Sequence, residues 1–298
     1  MEHDTHTGPT HKSHFTAIYD LLDPRRYYEG LAPADYRMPD VVAGFLRAAG
    51  TAIAQARRPR EGLKVLDFAC GYGANGALLR HELCMADLYA YYAGHTWSQR
   101  DGDVHWAADR AFFSAHRLAC SSFEVAGIDI AANALAYDVG VGLIDHAFTD
   151  NLVSDRAGSA LKDFLAEVDI VIESGALGAG LSNAFANVLA DADESRRPWF
   201  LYSPRPDVDW VALDGLWSRV GYRAQACNQM PVPYRRALSA AEATEMMRDC
   251  VALGKSPERV FVDGYLAVDL MIALPLEIVE PTHNVFAEIF AELPLMYP

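Results

Sequence analysis

The chain of 298 residues contains no long uninterrupted apolar run, although 51% of its residues are hydrophobic. No stretch approaches the roughly 20 apolar residues that a helix needs to cross a bilayer. Met1–Lys12 is polar and rich in histidine, without the apolar segment of a secretory signal peptide. These absences predict a cytoplasmic protein with no membrane partner.

The sequence also has little positive charge. Its 25 Lys and Arg residues are outnumbered by 40 Asp and Glu residues, which gives a formal net charge of −15. Because contacts to phosphates require clustered Lys and Arg side chains, this balance argues against nucleic acid as a partner. The expected substrate is therefore a small molecule, alone or bound to a carrier. Three arginine pairs are expected to be solvated surface charge: Arg57 with Arg58, Arg196 with Arg197, and Arg235 with Arg236.

Paired cysteines are absent as well. The five cysteines are scattered and include no C-x-x-C pair: Cys70, Cys84, Cys120, Cys227 and Cys250. An odd number at wide spacing is typical of neither a disulfide framework nor a zinc site. We expect small buried apolar side chains and no metal site.

Strand and helix patterns alternate through the middle of the chain. Apolar runs predict strands at Leu63–Phe68, Phe123–Ile130, Val168–Glu173 and Trp199–Ser203, with helical patterns between them. This alternation predicts an α/β fold, a Rossmann-like and mainly parallel sheet with helices on both faces. Two later runs, Ala224–Met230 and Gly264–Leu274, predict a C-terminal antiparallel strand pair.

The ends of the chain differ from this middle part. Residues 1–60 predict an N-terminal helical lid, and residues 61–298 the Rossmann-like domain, with an insertion at about 84–120. The insertion is aromatic and contains histidines, so we expect a helical flap over the site. The apolar tail, Asn284–Pro298, is expected to dock on the domain or on a second copy, as in a homodimer.

The segment V-L-D-F-A-C-G-Y-G-A-N-G carries the most information. Gly71 and Gly73 can adopt positive φ and let a ligand approach the backbone closely. The helix that begins near Asn75 presents unpaired N–H groups and the positive end of its dipole. Asp67, at the end of the strand, suits an ammonium or hydroxyl group better than a pyrophosphate. Strand, acid, glycine turn and helix together predict a ligand site.

A second acid, Asp129, ends the next predicted strand. An acid at this position accepts hydrogen bonds from ribose hydroxyls, although it could instead cap a helix. Ligands of open α/β sheets bind outside the carboxyl ends of the strands. Asp67, Gly71, Asn151 and Glu173 are predicted to lie at that same edge.

These motifs resemble class I S-adenosylmethionine-dependent methyltransferases. V-L-D-F-A-C-G-Y-G-A-N-G resembles the family's first motif, V-A-G-I-D-I its second, and V-D-I-V-I-E-S-G-A-L-G a later strand on the acceptor side. The match covers roughly Leu63–Ser203. It implies S-adenosylmethionine as cofactor, with its methionine part at Asp67 and the glycine turn, its ribose at Asp129 and its adenine at Asn151 and Leu152. The cofactor-binding residues so implied are Asp67, Ala69, Gly71, Tyr72, Gly73, Asn75, Asp129, Ile130, Asn151 and Leu152, with Tyr28 and Tyr36 from the lid.

Segments near the N-terminus and around the fourth predicted strand, Y-D-L-L-D-P-R-R-Y-Y and P-W-F-L-Y-S-P-R-P, resemble a bacterial subgroup found in natural-product clusters. Azetidine-2-carboxylate synthases, which cyclise the cofactor itself, are similar to this subgroup. Two features depart from the family. Gly71 and Asp129 are 58 residues apart, against roughly 20 in dinucleotide folds. No D/N-P-P-Y/F motif is present, which argues against an amino-methylating enzyme of nucleic acids.

Methyl transfer from a sulfonium depends mainly on aligning the nucleophile with the methyl group. The expected catalytic residues are Glu173, Ser174, Ser203 and Tyr19. Aromatic faces attract a sulfonium, so Tyr19, Tyr27, Tyr28 and Tyr36 could either contact it or simply pack the lid. Other candidates are His95, His105, His116 and His146 as bases, and Arg205 as partner of a substrate carboxylate.

The residues leave several functions open. A small-molecule methyltransferase in bacterial secondary metabolism is favoured. A cyclase or lyase that releases methylthioadenosine would use the same binding motifs. A non-catalytic module that binds the cofactor is a third hypothesis. A dinucleotide oxidoreductase is disfavoured by Asp67 and the short turn.

Overall fold

The computed structural model describes residues 18–57, 62–94, 102–119, 123–176, 184, 187–189, 196–278, 286–289 and 291. The α-helices are α1 Arg25–Leu31, α2 Met38–Arg57, α3 Ala74–Arg80, α4 Met85–Ala93, α5 Gly102–Ala115, α6 Ala132–Val141, α7 Ser159–Leu165, α8 Trp210–Arg219 and α9 Ala240–Ala252. The strands are β1 Leu63–Phe68, β2 Phe123–Ile128, β3 His146–Phe148, β4 Ile170–Ser174, β5 Trp199–Ser203, β6 Tyr222–Ala226, β7 Val232–Arg236, β8 Phe261–Val262, β9 Tyr265–Val268 and β10 Met271–Pro275.

The main sheet has seven strands in the order β3-β2-β1-β4-β5-β10-β6. Strands β1 to β5 pair in parallel, whereas β10 runs antiparallel between β5 and β6. Helices cover both faces of such a sheet, which explains why β5 is buried at every residue. The prediction of a Rossmann-like α/β fold with a C-terminal antiparallel pair is confirmed.

One predicted strand proves to be two. The apolar run Gly264–Leu274 divides into β9 and β10, and only β10 joins the main sheet. Strand β9 pairs with β7 and β8 in a second, three-stranded antiparallel sheet. Both pieces of the run are buried, so its hydrophobicity gave no sign of the break. The break lies at Asp269-Leu270, where the Leu270 N–H donates to Oδ1 of Asn228 (2.7 Å).

Helix α2 packs on the main sheet. Its buried residues recur at helical spacing and belong to the same apolar cluster as residues of β1 and β4. The buried residues of α2 that do so are Val42, Phe45, Leu46, Ala49 and Ile53. Phe286, in the tail, is buried against Phe45 and Trp199, so this part of the tail docks on its own domain. The division at residue 60 and a homodimer both stay predictions.

The insertion packs beside the N-terminal segment. Tyr92 of α4 stacks on Tyr28 of α1, with ring centroids 4.3 Å apart. Asp109 of α5 is fully buried, forms an ion pair with Arg25 (2.8 Å) and accepts a hydrogen bond from Tyr137 of α6 (3.0 Å). The described helices of the insertion therefore pack against the N-terminal segment, and the flap over the site stays a prediction. Residues 95–101 and 120–122 of the insertion lie outside the described ranges.

Within the described ranges, no helix combines the length and the apolar character that a bilayer span requires. The same ranges contain no group of three or more His, Cys, Asp or Glu side chains placed to hold a metal ion. The predicted helix Ser182–Ala190 falls largely outside the described part of the chain.

Candidate functional site

The turn after β1 has three residues in the left-handed region. Ala69, Gly71 and Gly73 have φ values of 56°, 58° and 59°. Residues other than glycine rarely adopt this backbone conformation, so the positive φ of Ala69 indicates a tightly constrained backbone. At Gly73 a Cβ atom would lie 2.9 Å from Cγ of Asp138 on α6, a distance too short for any side chain. This glycine is therefore required both by its φ and by the helix behind it.

Asp129 ties this turn to the neighbouring strand. Its Oδ2 accepts a hydrogen bond from the Gly71 N–H (2.9 Å), and its Oδ1 accepts one from the Ala131 N–H (3.0 Å). The N-cap of α6 is Ala131, without a side-chain cap, so Asp129 does not have the capping role that the sequence left open. Its carboxylate fixes the glycine turn against the end of β2.

A chain of polar contacts connects the turn to the lid. Asn75 donates to Oδ1 of Asp67 (2.8 Å) and lies 3.0 Å from Oγ of Ser174, which also accepts from the Tyr36 hydroxyl (3.0 Å). Asp67 is fully buried, and its Oδ2 has no hydrogen-bond partner among the described residues. Burial raises the pKa of Asp67 to about 7, against the hydrogen bond from Asn75, which lowers it.

These elements border a cavity of about 740 Å³ at the carboxyl edge of the main sheet. This volume lies in the range of small-molecule sites. The predicted residues that line it are Tyr19, Tyr36, Ala69, Asn75, Asp129, Ile130, Asn151, Leu152 and Ser174. The remaining predicted site residues are not among the lining residues: Tyr28, Asp67, Gly71, Tyr72, Gly73, Glu173 and Ser203.

Glu173 and Ser203 were expected to be catalytic. Neither of them is among the residues that line the cavity. Glu173 is fully buried and accepts hydrogen bonds from the backbone N–H groups of Ala176 and Ser203 (3.4 Å for Ser203). The carboxylate therefore shapes the chain after β4 and β5. Ser203 is equally buried, and its Oγ has no hydrogen-bond partner in the described chain.

Two residues expected to contact the cofactor also lie in the interior. Tyr28 is stacked on Tyr92, and the hydroxyl of Tyr72 lies 2.7 Å from both the N–H and the carbonyl oxygen of Leu21. Both rings hold the lid on the core. Their sequence pattern, aromatic residues near the turn, does not distinguish this support from ligand contact.

Aromatic rings form a second part of the cavity lining. Tyr19 packs edge-on against Tyr27 (centroids 5.2 Å apart), and Tyr36 packs edge-on against Tyr234 of β7 (5.6 Å). The Tyr19 ring approaches to 3.6 Å from the position that a Cβ of Gly71 would take. Burial raises the pKa of all four phenols, which are therefore neutral near pH 7.

The sequence reasoning missed the part of the cavity that the second sheet and α9 provide. Tyr234 and Arg235 from β7, with Glu242 and Met246 from α9, line it together with Arg205. Arg235 was expected at the surface, yet its side chain is only 15% exposed and forms an ion pair with Glu242. The acid seven residues after Arg235 was the available signal, but only the packing of α9 brings the pair together.

Arg57 was also expected to be solvated at the surface, and its side chain too is buried. Its side chain is 6% exposed and lies 3.4 Å from the buried carboxylate of Asp169, which also pairs with Arg196 (3.0 Å). A carboxylate that is buried in its ionised form requires such cations. This cluster lies away from the cavity-lining residues.

The described candidate histidines lie elsewhere. His116 contacts the carbonyl oxygen of Phe112 through Nδ1 (2.8 Å), and His146 is half exposed beside Glu124 (3.0 Å). Neither lines the cavity. The side chains of His95 and His105 lie outside the described part of the structure.

No protein-family model matches the chain, and no curated protein matches it. Among solved structures, the chain is similar to a TehB-like SAM-dependent methyltransferase from Corynebacterium glutamicum (14% identity, TM-score 0.36, covering 76% of this chain and 91% of that protein). It is also similar to the YcgJ protein from Bacillus subtilis (11% identity, TM-score 0.40, 77% and 98% covered). A third is the plantazolicin methyltransferase BpumL in complex with SAH (8% identity, TM-score 0.36, 88% and 96% covered). At TM-scores no higher than 0.40, these likenesses assign no function to this chain.

Proposed function

We propose that this chain is an S-adenosylmethionine-dependent methyltransferase that acts on a small molecule. The observation that carries the proposal is the composition of one cavity wall: the Asp129 carboxylate beside the glycine turn and a group of tyrosine rings line the same cavity. Carboxylates and aromatic faces both attract cations. None of the described lining residues near the turn is a Lys or Arg, which a pyrophosphate would favour.

The residues present fit this cofactor. A carboxylate has about four acceptor sites, and Asp129 uses only two of them on backbone N–H groups, which leaves capacity for ribose hydroxyls. Ile130 beside it is 71% exposed and offers an apolar surface for a purine, together with Leu152. Asn75 and Ser174 would hold the amino-acid end, above the buried Asp67.

When bound, the cofactor would supply a methyl group on a sulfonium, and this methyl group would pass to a nucleophile of the acceptor as the methyl–sulfur bond breaks and S-adenosylhomocysteine forms. The protein's own contribution is to enclose, orient and exclude water, and these effects account for much of the rate in such transfers. Because burial raises the pKa of Tyr36 well above its ordinary value, its phenol donates to Ser174 as a neutral group. Tyr19, Tyr27, Tyr36 and Tyr234 then provide neutral rings toward a cation.

The N-terminal resemblance to a natural-product subgroup supports a place in bacterial secondary metabolism. The carboxyl-edge position of the cavity supports the small-molecule assignment, because such a site encloses its ligand. The acidic chain, with a net charge of −15, supports neither nucleic acid nor anionic membrane as substrate.

The test combines binding with product analysis. The pure protein is titrated calorimetrically with S-adenosylmethionine, S-adenosylhomocysteine and NAD, and then incubated with S-adenosylmethionine, alone and with a mixture of amine, hydroxyl and carboxyl compounds. We expect both sulfur nucleosides to bind, and S-adenosylhomocysteine to form only with acceptors. If the cofactor alone yields methylthioadenosine and azetidine-2-carboxylate, the reaction is cyclisation of the cofactor, and the proposal of methyl transfer is overturned. Binding of NAD in place of the sulfur nucleosides would overturn the proposal.

A further inference from the structure

The end of the cavity that lies away from Asp129 contains two arginines from different elements. Arg205 follows β5, and Arg235 belongs to β7 in the second sheet, yet both line the same cavity. Their positive charges are close enough to repel each other. Two guanidinium groups that face one space are stabilised when an anion lies between them.

Acidic partners hold both guanidinium groups in place. Asp207 binds Arg205 through Nε (3.0 Å) and Nη2, while no described residue accepts a hydrogen bond from its Nη1. Glu242 binds Arg235, and the same carboxylate accepts the Leu238 N–H (2.6 Å) at the start of α9. Asp207 is not among the cavity-lining residues, so it supports Arg205 from behind. The arginines are thus oriented before any ligand arrives.

Apolar side chains line the same cavity as these charges. Leu31, Pro39 and Met246 line the cavity together with the rings of Tyr36 and Tyr234. A ligand that fits this end combines an apolar body with a negative group. Each guanidinium already has one carboxylate partner, so a ligand with one negative charge adds less excess negative charge to the site than a phosphate with about two.

We infer that the acceptor is a small carboxylic acid with an apolar body, and that Arg205 and Arg235 bind its carboxylate. This inference rests on the proposed function, because it names the substrate class of the same cavity. Arginine rather than lysine suits the role, because a guanidinium has five N–H donors and can bind its carboxylate partner while it still donates to a ligand. The two arginines are specificity residues that contact the acceptor, whereas the glycine turn after β1 binds the cofactor.

The test uses benzoate, phenylacetate and 4-hydroxybenzoate, each beside its uncharged methyl ester, and phenyl phosphate. Each is titrated into the protein with and without saturating S-adenosylhomocysteine. We expect at least one acid to bind at least about tenfold more tightly than its ester. Arg205→Met and Arg235→Met should each remove this preference, and Arg205→Lys should keep only part of it. Arg248→Gln is the matched control, since Arg248 lies on α9 with its side chain 66% exposed.

The outcomes separate the two proposals. If no acid binds better than its ester, or if phenyl phosphate binds better than every acid, the carboxylate inference is overturned. If both Met variants keep the preference while folding normally by circular dichroism, the site lies elsewhere and the inference is also overturned. Failure of S-adenosylhomocysteine to bind overturns the proposed function, and with it the role of the acid as a methyl acceptor, whereas the titrations without it still test whether the arginines bind a carboxylate.

Discussion

The two ends of the cavity are built in different ways. The end at Asp129 is formed by the tips of β1 and β2 and the turn between β1 and α3, which are adjacent in the sheet. The opposite end is formed by Arg205, β7 and α9, which belong to a loop, a second sheet and a peripheral helix. Backbone geometry determines the first end, whereas packing between distant segments determines the second. The first end is thus tied to the fold and the second is open to variation in specificity.

The largest effect is expected at Gly73. Gly73→Ala places a Cβ 2.9 Å from Cγ of Asp138 in a left-handed conformation, and should lower the free energy of unfolding by about 2–5 kcal/mol. It should also abolish calorimetric binding of S-adenosylhomocysteine, because the turn moves. Gly142→Ala is the control, since Gly142 has a φ of 85° but no atom within 4 Å of its Cβ position. It should cost about 1–2 kcal/mol and keep binding. Equal losses in both variants would contradict the role of Asp138.

The buried acid below the turn should make stability depend on pH. The unfolded chain releases the Asp67 proton near pH 4, whereas the folded chain keeps it until about pH 7, because burial disfavours the carboxylate. Folding therefore loses stability as the pH rises from about 4 to 7. Asp67→Asn removes this loss, so the variant should gain about 2–3 kcal/mol relative to the wild type between pH 5 and pH 8. Urea unfolding at several pH values measures the difference.

A control variant separates titration of Asp67 from other effects on stability. Ser203→Ala changes a buried polar residue that does not titrate, so its effect should be the same at every pH. Asp129 raises the pKa of Asp67 further, Asp138 is another buried acid that interacts with it, and both remain in the variant. A constant difference between Asp67→Asn and the wild type across the range would show that Asp67 is ionised in the folded protein.

Asp129 should control cofactor affinity with a smaller effect on folding. Asp129→Ala removes the acceptor of the Gly71 N–H and the proposed partner of the ribose. The dissociation constant of S-adenosylhomocysteine should rise about 10- to 100-fold. Asp209→Ala is the control, because Asp209 also binds backbone N–H groups but caps α8 outside the cavity. Comparable losses from both variants would refute a specific role for Asp129.

The same contrast explains what the sequence could and could not reveal. The fold class, the turn and Asp129 were predictable, because strand periodicity and a glycine cluster are local signals. The surroundings of Glu173 were not predictable, because an acid at a strand end has the same sequence pattern whether it faces a ligand or accepts backbone N–H groups, as it does from Ala176. Arg235 and Glu242 were missed, because their pairing depends on how α9 packs on β7, which no local pattern encodes.

The smallest effect is expected at Met246, and it should distinguish the two ends of the cavity most directly. Met246 lines the cavity from α9, whereas its neighbour Met247 packs against the core outside it. Met246→Ala should weaken a benzoate-class probe about fourfold for each methylene group that no longer packs on the probe, and Met247→Ala should not. Neither variant should change S-adenosylhomocysteine affinity by more than about twofold, within the scatter of distant, independent sites. If Met246→Ala weakened the nucleoside as strongly as Asp129→Ala, the two ends would form one continuous ligand site, and the second sheet would take part in binding the cofactor.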